Sequence, residues 1–111
     1  MNEVKSIVIP SNLTVGYSNR STDSVSVDLT PDTMTVDVTL IDTGDGTSWI
    51  KISNGGTYAS SLTGINGDFT LYAKAQSYNG SFIRSCKVKV TDTTDSTVYD
   101  EVVISQMAQP I

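Results

Sequence analysis

The sequence predicts an all-β domain folded as a two-layer antiparallel sandwich, and three observations carry that expectation. Period-two alternation of apolar and polar residues recurs along the chain, and no window shows a 3.6-residue period. Clusters of turn-forming residues separate the alternating runs. The 111 residues include 15 Ser and 15 Thr, and only 17% are charged, so the polar positions are mostly hydroxyl and amide. Thr favours strands, Ser and Asn favour turns, and strong helix formers are scarce.

The runs follow in order. "VKSIVI" is a short apolar segment suited to an edge. In "LTVGY", Leu13, Val15 and Tyr17 share a face. "SVSVDL" sets Val25, Val27 and Leu29 against Ser26 and Asp28, and "MTVDVTLI" sets Met34, Val36, Val38 and Leu40 against Thr35, Asp37 and Thr39. "WIKIS" places Ile50 and Ile52 on one side and Trp49, which opens the strand, with Lys51 on the other. "FTLYAKA" alternates Phe69, Leu71, Ala73 and Ala75 against Thr70, Tyr72 and Lys74. "CKVKV" puts Cys86, Val88 and Val90 inside and Lys87 and Lys89 outside. "YDEVVISQ" buries Val102 and Ile104. Seven to eight strands of this kind, in one domain spanning residues 1–111, predict an immunoglobulin-like sandwich. The turn signals between them are Pro10, "YSNRSTD", "TPDT", "DTGDGTS", "NGG", "GINGD", "YNGS" and "TDTTDST".

Composition narrows the chemistry. Histidine is absent, which removes the commonest general base and zinc ligand. A single cysteine forms no internal disulfide and no thiolate cluster, and Cys86 is expected to be a small core residue. The net charge of −5 argues against nucleic acid as a partner. No segment approaches the roughly 18 apolar residues of a membrane span. The start, "MNEVKSIVIPS", has a three-residue apolar run before a proline and does not resemble a signal peptide. Charge is also unevenly placed. Residues 21–50 hold six Asp and no Lys or Arg, whereas 51–91 hold Lys51, Lys74, Arg84, Lys87 and Lys89 against Asp68 alone. Such polarity suits contacts between subunits.

The stretch "TLIDTGDGTSWIKIS" contains Asp42-Thr43-Gly44, the form taken by the catalytic aspartate of pepsin-like and retroviral proteases. Those enzymes set two such carboxylates face to face to share a proton. Here Asp45 follows Gly44, a second carboxylate that would disturb that proton, and no buttressing Gly-Arg or Gly-Asn element follows. Gly44-Asp45-Gly46 running into a strand reads as a hairpin turn. Calcium would require six to eight oxygens and finds only Asp42 and Asp45 here, without EF-hand spacing. No cofactor is expected. The Asn-X-Ser/Thr triplets at Asn12, Asn19 and Asn79 matter only on a eukaryotic secretory route.

With the strands in order, the second half resembles the BACON family, the Bacteroidetes-associated carbohydrate-binding often N-terminal domains. The residues are Trp49-Ile50-Lys51-Ile52-Ser53, Gly55-Gly56, Phe69 to Ala75, Asn79 with Arg84, Cys86 to Val90, and Val103-Ile104-Ser105-Gln106. The pattern spans roughly residues 13 to 108, and the middle loop "NGGTYASSLTGINGD" is longer and richer in tyrosine than the family's. The resemblance implies an immunoglobulin-like sandwich without catalysis. Its members usually sit in secreted or lipid-anchored glycan-processing proteins of gut bacteria, and similar domains occur in tailed phages of those hosts.

Two functions follow as expectations. The first is a non-enzymatic accessory protein on the surface of a phage virion, made in the host cytoplasm and touching capsid subunits. A chain with its own Met1 and no attached enzyme suits it. Its candidate contacts are Asp28 and Asp37 on one outer face, and a basic strand of Arg84, Lys87 and Lys89, of which Lys87 and Lys89 project together from another face. The second is a carbohydrate- or mucin-binding module, extracellular or at a cell surface, in which Tyr58, Tyr78 and Phe82 supply flat faces for sugars.

Overall fold

A computed structural model describes residues 4–18 and 21–110. Among these, the elements are nine strands: β1 (Ser6–Val8), β2 (Leu13–Val15), β3 (Ser21–Thr30), β4 (Thr35–Asp42), β5 (Ile50–Ser53), β6 (Ser61–Asn66), β7 (Phe69–Ala75), β8 (Arg84–Asp92) and β9 (Asp95–Gln106). One sheet runs β1-β3-β7-β5 and the other β2-β9-β8-β4-β6. All pairings are antiparallel except β2 with β9. This is an immunoglobulin-like sandwich, with a first strand divided between the two sheets. No helix among the described residues is long and apolar enough to cross a membrane.

The alternation read from sequence sorts the layers. Val25, Val27 and Leu29 of β3, Val36 and Val38 of β4, Leu71, Ala73 and Ala75 of β7, and Cys86, Val88 and Val90 of β8 all face the core. Leu13, Val15, Ile50, Ile52 and Ile104 complete it. Each such aliphatic contributes about 1.5–3 kcal/mol by leaving water. Leu40, Phe69 and Val102 pack against this core while staying partly exposed. Burial raises the Cys86 thiol to about 11, so it is a protonated packing group.

The structure corrects the sequence reading in three places. There are nine strands rather than seven or eight, because the middle loop contains β6, which pairs with β4. A register shift between Val36 and Val38 marks a bulge there, and Gly64 takes a positive φ of 66° while donating its N–H to Asp37 Oδ1 at 3.0 Å. One extra residue breaks the period of two, which hides the strand from pattern reading. Next, the Asp42 loop is not a hairpin: β4 and β5 belong to different sheets, so the loop crosses between layers. Finally, β2 stops at Val15, and Tyr17 leaves the core face and is exposed.

Side chains fasten the ends. Asp100 Oδ2 accepts the Ile9 N–H at 2.8 Å where the chain passes between sheets. At one end, Lys5 pairs with the buried Asp92 at 2.9 Å. The edge residue Thr14 donates its N–H to Asp23 Oδ2 at 2.9 Å, and Ile52 exchanges backbone hydrogen bonds with Ala59. Both contacts cover edges that would otherwise template strand addition.

Candidate interaction site at the Arg84 end of the sandwich

Arg84 shares inward parity with Cys86, Val88 and Val90, at the first position of β8 where the core meets solvent. Its guanidinium carbon lies 4.0 Å from the centroid of Tyr78 and 4.9 Å from that of Trp49. Its Nε donates to Gln106 Oε1 at 2.7 Å. Gln106 is fully buried and donates through Nε2 to the carbonyls of Gly16 at 3.0 Å and Gln76 at 2.6 Å. The Gln76 N–H in turn donates to the Trp49 carbonyl at 3.0 Å. A planar cation stacked on two rings and tied to a buried amide makes a rigid end to the sandwich. Partial desolvation lowers the Arg84 pKa, opposed by the nearby Asp45 carboxylate.

Trp49 is 3% exposed and precedes β5 rather than opening it. Its indole N–H donates to the Gly46 carbonyl at 2.9 Å, satisfying its one polar atom. The acidic loop that carries Gly46 is internally bonded. Asp42 Oδ1 accepts from the N–H groups of Gly44 at 2.8 Å and Gly46 at 2.9 Å, and these hold its carboxyl below the usual range. Asp45 Oδ2 accepts the Ser85 N–H at 2.9 Å, and Thr43 Oγ1 donates to the Ser85 carbonyl at 3.2 Å. Asp42 therefore closes the loop on itself, while Asp45 and Thr43 staple it to the start of β8. Among the described residues no group of three or more His, Cys, Asp or Glu stands ready for a metal.

Tyr78 braces the neighbouring loop. Its N–H donates to the Tyr17 carbonyl at 2.8 Å and its hydroxyl to the Phe82 carbonyl at 2.7 Å. Gly80 is required beside it, since a Cβ at that position would overlap the ring. The loop so held presents Phe82, 82% exposed, and Ile83, 55% exposed, at its tip. Beside it lies an open cleft of about 510 Å³ lined by Tyr17, Ser18, Ser77, Tyr78, Asn79 and Gln109.

The residues expected from sequence are distributed differently from their expected grouping. Of the aromatics, Tyr78 and Phe82 share this end, whereas Tyr58 lies in a separate hollow with Ser53, Gly55, Gly56 and Tyr72. Arg84 does not belong with Lys87 and Lys89: it points inward, and they point outward. Asp37 and Asp28 do not share a face either. Asp37 is on β4, whose outward row meets that of β8, with Asp37 opposite Thr91 and Thr39 opposite Lys89. Asp28 projects from β3 in the other sheet. The β8 face is mixed in sign, for Lys87 pairs with Glu101 at 3.2 Å and Lys89 lies 4.2 Å from the Tyr99 ring. The Asn19 triplet lies outside the described residues.

Sequence reading named Gln106 only as the end of the BACON-like last strand and gave no role to Gln76 or Gly80. One signal was present for the first: Gln106 continues the inward parity of Val102 and Ile104, so a polar residue stood at a core position.

No protein-family model and no curated protein matches the chain. Among solved structures, the fold is similar to part of a GH5 xyloglucanase from Bacteroides ovatus, determined in complex with a XXXG heptasaccharide. The TM-score is 0.66 at 14% identity, and the match covers 96% of this chain and 20% of that one. An SrpA adhesin mutant from Streptococcus sanguinis aligns at TM-score 0.47 and 9% identity, over 98% of this chain and 60% of that one. At such identities the likeness to the xyloglucanase is one of fold, and this chain spans a fifth of that enzyme's length.

Proposed function

We propose that this chain is a non-enzymatic interaction domain that docks onto protein subunits, in the setting of a phage particle. The observation that carries the docking is the Phe82–Ile83 tip, apolar and exposed yet braced by the Tyr78 hydroxyl on the Phe82 carbonyl. An aromatic anchor held rigidly before binding loses little entropy on insertion into a pocket. The rigid Trp49–Arg84–Tyr78 end serves as its base. The particle setting rests on the BACON resemblance and on the composition. Mass spectrometry of purified particles from the source tests it, with the chain expected at a fixed copy number relative to the major capsid subunit. Its absence from particles removes that setting.

A second reading is favoured by the cleft beside Tyr78. Two tyrosines, two serines, Asn79 and Gln109 offer hydroxyl, amide and ring surfaces suited to a neutral sugar. The fold similarity to part of a xyloglucanase is compatible with it. Retention on a glycan array that is lost in Tyr78→Ala and kept in Phe82→Ser would favour this module over protein docking.

A further inference from the structure

Lys51 of β5 and Lys74 of β7 stand directly opposite each other in the antiparallel register, on the outer face of the four-stranded sheet. Cβ atoms so placed are about 5 Å apart, and like charges there repel. Their contacts are neutral. Lys51 Nζ bonds Ser60 Oγ at 3.1 Å, and Lys74 Nζ lies 4.3 Å from the centroid of Tyr58. The outward neighbours supply no carboxylate. Thr22 is opposite Lys74, and Ser24 and Ser53 flank Tyr72. Asp28 lies on the same outward row of β3 as Thr22, about 20 Å further along the strand at 3.3 Å per residue.

The other described cations are treated differently. Lys5 pairs with Asp92 and Lys87 with Glu101. Lys89 is opposite Glu101 in register, and Arg84 feels the charge of Asp45. In a chain of net charge −5, these two lysines stand together, and among the described residues neither forms an ion pair with a carboxylate. Beside them is the hollow of about 130 Å³ lined by Ser53, Gly55, Gly56, Tyr58 and Tyr72.

We propose that Lys51 and Lys74 together bind a doubly charged oxyanion of the phosphate-monoester class, whose organic group lies in the hollow against Tyr58 and Tyr72. A dianion neutralises both ammonium groups at once, which a carboxylate does not. A phosphate monoester carries nearly two charges at neutral pH and offers three acceptor oxygens. Ser60 Oγ, already at Lys51, is a further donor. The site is separate from the Phe82 tip and does not depend on how that tip is used.

The test is a titration of the isotope-labelled protein followed by amide NMR, with inorganic phosphate, glucose 6-phosphate, and sodium chloride at matched ionic strength. Saturable shifts at Lys51, Ser60 and Lys74 are expected with both phosphates and not with chloride. Binding of glucose 6-phosphate is expected to be the tighter, with shifts at Tyr58 and Tyr72. Lys51→Gln and Lys74→Gln should each weaken binding about tenfold, the loss of one charge-assisted hydrogen bond. Lys51→Glu should abolish it while raising the melting temperature, through a cross-strand pair with Lys74 that shows the fold is kept. Shifts equal to those of chloride, or unchanged affinity in Lys51→Glu, overturn the site. Equal affinity for the two phosphates overturns the role of the hollow.

Discussion

The Arg84 guanidinium stacks 4.0 Å from the Tyr78 ring while its Nε holds the buried Gln106. One side chain thereby joins a surface loop to the end of the core. Arg84→Met keeps most of the apolar stem and removes the donor. Gln106 Oε1 is then left buried without a partner, which costs about 1–3 kcal/mol. Urea denaturation should show a lower midpoint with an unchanged slope. An unaltered midpoint would mean that water replaces the guanidinium without loss.

Trp49 is expected to be the costliest single truncation at this end. Trp49→Ala removes a 3% exposed indole and its bond to the Gly46 carbonyl. A loss of about 3–5 kcal/mol is typical of a core aromatic. Trp49→Phe should fall well short of that. Equal stability of the wild type and Trp49→Ala would take the ring out of the core.

Gly80→Ala tests the bracing of the tip. A methyl group there overlaps the Tyr78 ring, so the ring must leave Arg84 or the loop must move. The expected loss is about 0.5–1 kcal/mol, the scale of a solvent-exposed cation–π contact. Amide and side-chain NMR shifts should change at Arg84 Nε and at Phe82–Ile83. A spectrum altered only at residue 80 would contradict this geometry.

Acid should act through Asp92. The Lys5 ammonium, then the Thr94 N–H, hold its carboxyl below the ordinary value of 3.8, and its side chain is 2% exposed. A depressed carboxylate stabilises the fold above its unfolded value and loses that contribution as pH falls through the folded one. Stability should therefore decline below about pH 4, and Asp92→Asn should flatten that decline while lowering stability at neutral pH. Parallel acid limbs for the two proteins would assign the decline elsewhere.

The layers were legible because burial on one face writes itself as alternation, as in Cys86-Lys87-Val88-Lys89-Val90. Strand β6 was not, because the Gly64 bulge shifts its phase and its residues are mostly exposed. The direction of Arg84 was written in its parity with Cys86, yet its charge drew it towards Lys87 and Lys89 in the reading. Asp37 and Asp28 were separated by sheet assignment, which pairing decides and local pattern does not. The Lys51–Lys74 juxtaposition likewise depends on the register of β5 against β7, set across 23 positions of chain.

The most direct test of the docking account is incorporation of Phe82→Ser/Ile83→Ser into particles depleted of the wild-type chain, measured by quantitative mass spectrometry. Both side chains are exposed, so the double variant should fold with little change in denaturation midpoint. Loss of a central aromatic anchor of at least about 2 kcal/mol lowers occupancy of subsaturated sites by more than tenfold. The account expects a folded variant missing from particles that take up the wild type. Equal incorporation of the two would contradict it.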